Sequence, residues 1–208
     1  MEEPLQAHTP NELRYYLMVT ACEACGHGPI VADAPNAACP VDPDVDADGE
    51  GPSREGAVRT HCKRCRAERT FRFRWEHDVP ADGEDADCIN PGEQPSRIVD
   101  LGQWVGLYHH FSDAADSASD PSEHRRIARL AWLCLGEALK FYGAEELPPE
   151  SAFFTEGSAA AFREHRASYA HTHLRELQAR LPTPVHHEED DPPPPDEPRP
   201  WWKFWATR

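Results

Sequence analysis

Two Cys-x-x-Cys pairs, Cys22/Cys25 and Cys62/Cys65, constrain this chain more than any other feature of it. Four thiolates in two pairs are what a tetrahedral zinc ion requires, so the fold is expected to bring two turns, distant in sequence, to one point. In the first pair Gly26 follows the second cysteine and can adopt the positive φ that turns backbone N–H groups toward the sulfurs. The second pair is followed by Arg66, a less suitable residue for that turn. Four sulfurs fill every position of a tetrahedral ion and leave none for water, so the expected zinc is structural and not catalytic. The competing use of the thiols is two disulfides or a redox pair. The opening Met-Glu-Glu-Pro lacks the apolar region of an export signal, which predicts a cytoplasmic protein with reduced thiols. Of the other cysteines, Cys134 falls on the apolar face of a helix as a small core residue, whereas Cys39 and Cys88 fall in loops as free thiols.

Around the two pairs, Tyr15–Val19, Pro29–Val31, Ala57–Thr60 and Thr70–Trp75 read as short strands. Strand, knuckle, strand, then hairpin, knuckle, strand is the layout of the zinc-ribbon family, which residues 12–76 resemble, with an acidic loop insertion at about 33–53. The resemblance covers under a third of the chain and implies bound zinc without implying a biological role. A ribbon this small buries too little apolar surface to fold unaided, and structural zinc supplies apparent binding energies of roughly 10–16 kcal/mol.

Charge is distributed unevenly. The chain carries −16 overall, yet residues 54–75 hold eight basic side chains against Glu55 and Glu68. Residues 77–95 contain no basic side chain and three prolines and read as an acidic linker. Beyond it the apolar period becomes helical. Leu101, Trp104, Tyr108 and Phe111 put an aromatic face on a helix from about Ile98 to Phe111. A second helix is punctuated by Asp120 as N-cap, Pro121 at N1, Glu123 completing a capping box and Gly143 as its stop, with Ile127, Leu130, Ala131, Cys134, Ala138 and Phe141 as the buried stripe. Ser158 is the expected cap of a short helix through Ala161 and Phe162. Ala170, Leu174, Leu177 and Leu181 line a last helix ended by Pro182. The predicted fold class is therefore α+β, a zinc ribbon of three or more strands followed by a small α-helical bundle over 96–182.

Residues 183–208 form an acidic, proline-rich tail, read as disordered, that carries Trp201, Trp202, Phe204 and Trp205 beside Lys203. Three readings of that aromatic motif stay open: packing back on the chain itself, docking on a protein partner, or contact with a membrane surface. No run of 18 apolar residues exists, so the chain is not expected to span a membrane.

Two further patterns bear on function. Asp44, Asp46, Asp48, Gly49 and Glu55 fit the ligand positions of an EF-hand calcium loop, but Pro40, Pro43 and Pro52 leave no room for the flanking helices, so a chance match in an acidic loop is favoured. Phe71, Phe73 and Trp75 alternate with Arg72 and Arg74, close to Arg64 and Arg66, and such a strand could stack bases on one face while neutralising phosphate with the other. The bland alternative is an apolar face packed on the helices and a self-neutralised arginine face. Histidines 109, 110, 165, 171 and 173 lack the spacing of a metal or proton-transfer site, and His27 and His61 adjoin a set of ligands that is already complete. No catalytic constellation is present, so the expectation is a non-enzymatic zinc-binding adaptor with an unknown protein partner. Its main rival is a nucleic-acid-binding ribbon.

Overall fold

The computed structural model describes residues 3–33, 54–78 and 87–182. Four strands, β1 (Leu5–Ala7), β2 (Ile30–Ala32), β3 (Arg54–Cys62) and β4 (Glu68–Trp75), form one sheet in the order β1-β4-β3-β2. β3 and β4 make an antiparallel hairpin, β2 adds antiparallel to β3, and β1 adds parallel to β4. The period-2 pattern of β4 puts Phe71, Phe73 and Trp75 on the buried face and Thr70, Arg72 and Arg74 on the other.

The first expected strand, Tyr15–Val19, is instead the second half of a helix, α1 (Pro10–Val19). Its start explains the difference. Thr9 Oγ1 accepts the N–H of Glu12 at 3.3 Å, Pro10 occupies the first turn, and the Glu12 carboxylate reaches back to the N–H of His8. This start signal fixes the backbone before the β-favouring Tyr-Tyr pair is reached. On a helix, neighbouring residues point about 100° apart, and α1 uses that to bridge two layers. Tyr15 meets Trp104 and Phe111 at ring-centroid distances of 5.4 and 6.2 Å, whereas Tyr16 packs edge-on against Phe71 of the sheet at 5.9 Å. Sheet and helices therefore contribute to one contiguous apolar core.

The helical layer comprises α2 (Leu101–Asp116), α3 (Pro121–Leu139), α4 (Glu156–Glu164) and α5 (His171–Arg180). α2 and α3 make the most extensive helix–helix contact, and Trp104, Leu101, Cys134, Leu135 and Ala138 are fully buried along it. α3 begins at Asp120 and Pro121 as expected, but its cap is Lys140, and Gly143 does not take a left-handed φ. The helix tightens instead. The N–H groups of Lys140, Phe141 and Tyr142 each bond a carbonyl three residues back, while Lys140 Nζ holds the Asn90 carbonyl at 2.7 Å and Glu137 at 2.8 Å. α4 is capped by Thr155 and not by Ser158, whose N–H donates to Thr155 Oγ1.

Asp100 is the polar junction of this layer. One carboxylate oxygen accepts the Gln103 N–H in a capping box that opens α2, and the other accepts the N–H groups of Phe154 and Thr155 and the Thr155 hydroxyl. The described end of the acidic stretch, 87–95, is tied to two helices. Ile89 is fully buried, its carbonyl accepts the Thr9 hydroxyl, Asn11 Nδ2 donates to the Cys88 carbonyl, and Lys140 holds Asn90. Cys134 is buried in the core as expected. Cys39 lies outside the described residues.

Two carboxyl groups are buried where 87–96, α1 and α3 meet. Glu12 bonds the His8 N–H and Ser96, and desolvation raises its pKa despite these partners. Desolvation likewise pushes Glu137 up to about 7, against the pull of Lys140.

Candidate metal centre

The register of β2 on β3 brings the cysteines together. Ile30 lies opposite Cys62, and the Lys63 N–H donates to the Pro29 carbonyl at 3.2 Å, so the turn leaving α1 sits beside the tip of the β3–β4 hairpin. The two turns have the same backbone. In the first, Cys22 N–H donates to the His27 carbonyl at 2.7 Å and Gly26 N–H returns to the Cys22 carbonyl at 2.7 Å. In the second, Cys62 N–H donates to the Ala67 carbonyl at 2.9 Å and Arg66 N–H returns to the Cys62 carbonyl at 3.0 Å. Gly26 has φ 69° and Arg66 has φ 64°. Arg66 thus adopts the left-handed conformation that its partner turn assigns to glycine, at a cost of about 1–2 kcal/mol.

The four sulfurs all lie within 4.8 Å of one another. Cys22 Sγ is 3.6 Å from Cys65 Sγ, and Cys25 Sγ is 3.7 Å from Cys62 Sγ. A disulfide requires about 2.05 Å, so the pairs are not oxidised, and all four cysteines are free. For metal–sulfur bonds of about 2.3 Å the edge of a regular tetrahedron is about 3.8 Å, which these separations match. The donor set can therefore hold one metal ion. Among the described residues it is the one group of three or more candidate ligands arranged for an ion.

The thiols are electrostatically interdependent. Backbone hydrogen bonds from Cys65 and Arg64 hold Cys62 down to about 6, helped by the Cys65 and Cys25 thiols. Hydrogen bonding with the His27 backbone favours the Cys25 thiolate, yet desolvation and the three neighbouring sulfurs outweigh it and push the group up to about 12. A divalent ion held here would replace the shared protons and leave four thiolates with a net charge of about −2. Lys63, Arg64 and Arg66 stand exposed on the same hairpin tip, where their positive charge would compensate that excess.

Of the other basic residues of this region, Arg59, Arg72 and Arg74 face the open side of the sheet, whereas Arg54 and Arg69 share the face of Trp75 and Phe71, with the Arg69 guanidinium 4.5 Å over the Phe71 ring. Glu55, opposite Arg74 in the ladder, accepts Arg74 Nε at 2.8 Å and lies 3.8 Å from Arg72; Arg69 pairs with Glu23. Arg54 pairs with Asp78 at 2.6 Å. Phe71, Phe73 and Trp75 are buried, at 4%, 0% and 1% exposure, so the strand offers no aromatic platform to a base. Glu55, the twelfth position of the calcium-loop pattern, stands in a strand and is committed to two arginines, and Asp44, Asp46 and Asp48 lie outside the described residues. His61 pairs with Asp33 at 2.6 Å and takes no part in the sulfur cluster. Trp201, Trp202, Phe204 and Trp205 also lie outside the described residues. No helix among the described residues is long and apolar enough to cross a membrane.

Compared with known proteins, the chain matches no family model, no curated protein and no solved structure. The likeness to a zinc ribbon accordingly rests on the two knuckles and the hairpin, and it departs from the expected layout in the helix that leads into the first knuckle.

Proposed function

We propose that this chain is a non-enzymatic zinc-binding adaptor, in which an ion held by four cysteines fixes the end of the sheet and the joined sheet and helices present a surface to a protein partner. The observation that carries the reading is the sulfur geometry: separations of 3.6 and 3.7 Å suit zinc, and a complete thiolate set leaves no position for an activated water. Thiolate-only ligation also favours zinc over the hard cations, which prefer oxygen. X-ray absorption on protein purified without added metal tests it. A shell of four sulfurs at about 2.3 Å supports the reading, and a mixed shell with an open position removes it.

A nucleic-acid role keeps one supporting observation, the exposed cations Arg59, Lys63, Arg64, Arg66 and Arg72 along one hairpin. With the aromatics buried, it would act through phosphate contacts alone and show a steep salt dependence. A gel shift with single- and double-stranded DNA and RNA decides between the two. The adaptor reading predicts no shift even at low salt, and retardation abolished by Arg72→Glu/Arg74→Glu would replace it.

A further inference from the structure

Among the described residues, the large apolar side chains left exposed are Leu147 and Phe154, at 37% and 49% exposure. Phe154 forms one wall of a groove of about 390 Å³ whose apolar lining includes Pro95, Phe141, Pro149 and Ala152, with Arg97 at its rim. Phe141 and Phe154 stand 6.1 Å apart, tilted at 58°, and with Pro95 and Pro149 they put two rings and two prolines in the groove's lining. That surface suits a flat aromatic side chain. Arg97 is more than half exposed and is held only loosely by Glu76, at 3.6 Å, so its charge is available at the rim.

The chain itself carries a matching segment. Trp201, Trp202, Phe204 and Trp205 offer four rings within five residues, preceded by Glu188, Glu189, Asp190, Asp191, Asp196 and Glu197. Rings complement the groove, and Glu197 and Asp196, four and five residues before Trp201, complement Arg97, against Arg199 and Lys203 of like sign. Reach is not limiting. The described structure ends at Pro182, and the 18 residues from 183 to 200 span about 55 Å if extended at about 3.1 Å each, against a radius of gyration near 15 Å for a body of about 150 residues. A short tether also raises the local concentration of the motif to about 1 mM, so a groove with a dissociation constant of about 100 µM for the free segment would be about 90% occupied within one molecule.

We infer that the Trp201–Trp205 segment docks in the groove between Pro95, Phe141 and Phe154 of its own chain. The proposal does not depend on the identity of the metal or on the partner proposed above. It is tested by ¹⁹F NMR on the full-length, metal-loaded protein with 5-fluorotryptophan at all six tryptophans. The resonances of Trp201, Trp202 and Trp205 are expected to be displaced from their positions in denaturant and independent of protein concentration. Phe154→Ser, a change at a half-exposed site, is expected to lower the docked fraction about tenfold relative to the free form and to move these three signals back, leaving Trp75 and Trp104 in place. Resonances at their denatured positions in the unmodified protein overturn the proposal. So does displacement that grows with concentration, which would make a second copy the occupant. Displacement unmoved by Phe154→Ser overturns it too, by placing the segment elsewhere.

Discussion

Replacing Glu137 with glutamine isolates the electrostatic cost of the buried junction between α3, α1 and residues 87–96. Burial raises the Glu137 pKa from 4.5 to about 7, with Lys140 opposing the shift and Glu12 adding to it. Because the folded protein binds this proton more tightly than the unfolded chain, the stability it contributes is fully present below pH 4.5 and is lost as pH rises through 7. A shift of this size corresponds to roughly 3 kcal/mol across the window. A glutamine side chain at this position would mimic the protonated carboxyl and hold no titratable proton. Urea unfolding of the metal-loaded protein at pH 5 and pH 8 should therefore show the difference between Glu137→Gln and wild type moving by roughly 2–3 kcal/mol in favour of the variant at the higher pH. Any pH dependence of the metal site is common to both proteins and cancels in that difference. A difference that stays constant to within about 0.5 kcal/mol would refute the reasoning, because it would mean that Glu137 is ionised in the folded state throughout.

The left-handed backbone at Arg66 predicts opposite outcomes for two substitutions: Arg66→Gly should stabilise the metal-loaded protein by about 0.5–1 kcal/mol, and Arg66→Val should destabilise it by more, both read from urea midpoints. Asp100→Ala removes the α2 cap and strands the Phe154 and Thr155 N–H groups, so it should cost about 3–4 kcal/mol in thermal or chemical unfolding. Hydrogen exchange should localise that loss to the starts of α2 and α4. A change of sign at the hairpin tip, Lys63→Glu/Arg64→Glu, should weaken metal retention against a competing chelator while leaving unfolding of the helical layer unchanged.

The metal site is legible in the sequence because cysteine spacing reports a requirement of the ion, independent of the fold around it. The β3–β4 hairpin is legible for a similar reason, since alternation of Phe71, Phe73 and Trp75 with arginines has one period only. What alternation cannot state is which face is buried, and that is decided by α1 packing Tyr16 onto Phe71. The helical identity of Tyr15 and Tyr16 is hidden because an apolar aromatic run suits a strand locally; the decisive signal stands upstream, in Thr9-Pro10-Asn11-Glu12. Pairing of Glu55 with Arg74 depends on strand register across 19 positions and has no local signature. The stretch before α2 has the composition of a linker, yet a single apolar residue, Ile89, and backbone carbonyls met by Thr9, Asn11 and Lys140 suffice to fasten it. The conformation of Arg66 is hidden as well, because an arginine carries no sign of positive φ, although its position matches that of Gly26 in the other knuckle.

The claim on which the account turns is that one ion bridges the two knuckles through sulfur. Native mass spectrometry of the protein purified without added metal, followed by titration with a strong chelator under hydrogen-exchange monitoring, measures this directly. The account predicts one zinc ion per chain and, on its removal, a loss of protection at residues 20–33 and 58–70 that exceeds any loss in α2 and α3. A metal-free chain whose knuckles remain as protected with chelator as without it would contradict the account.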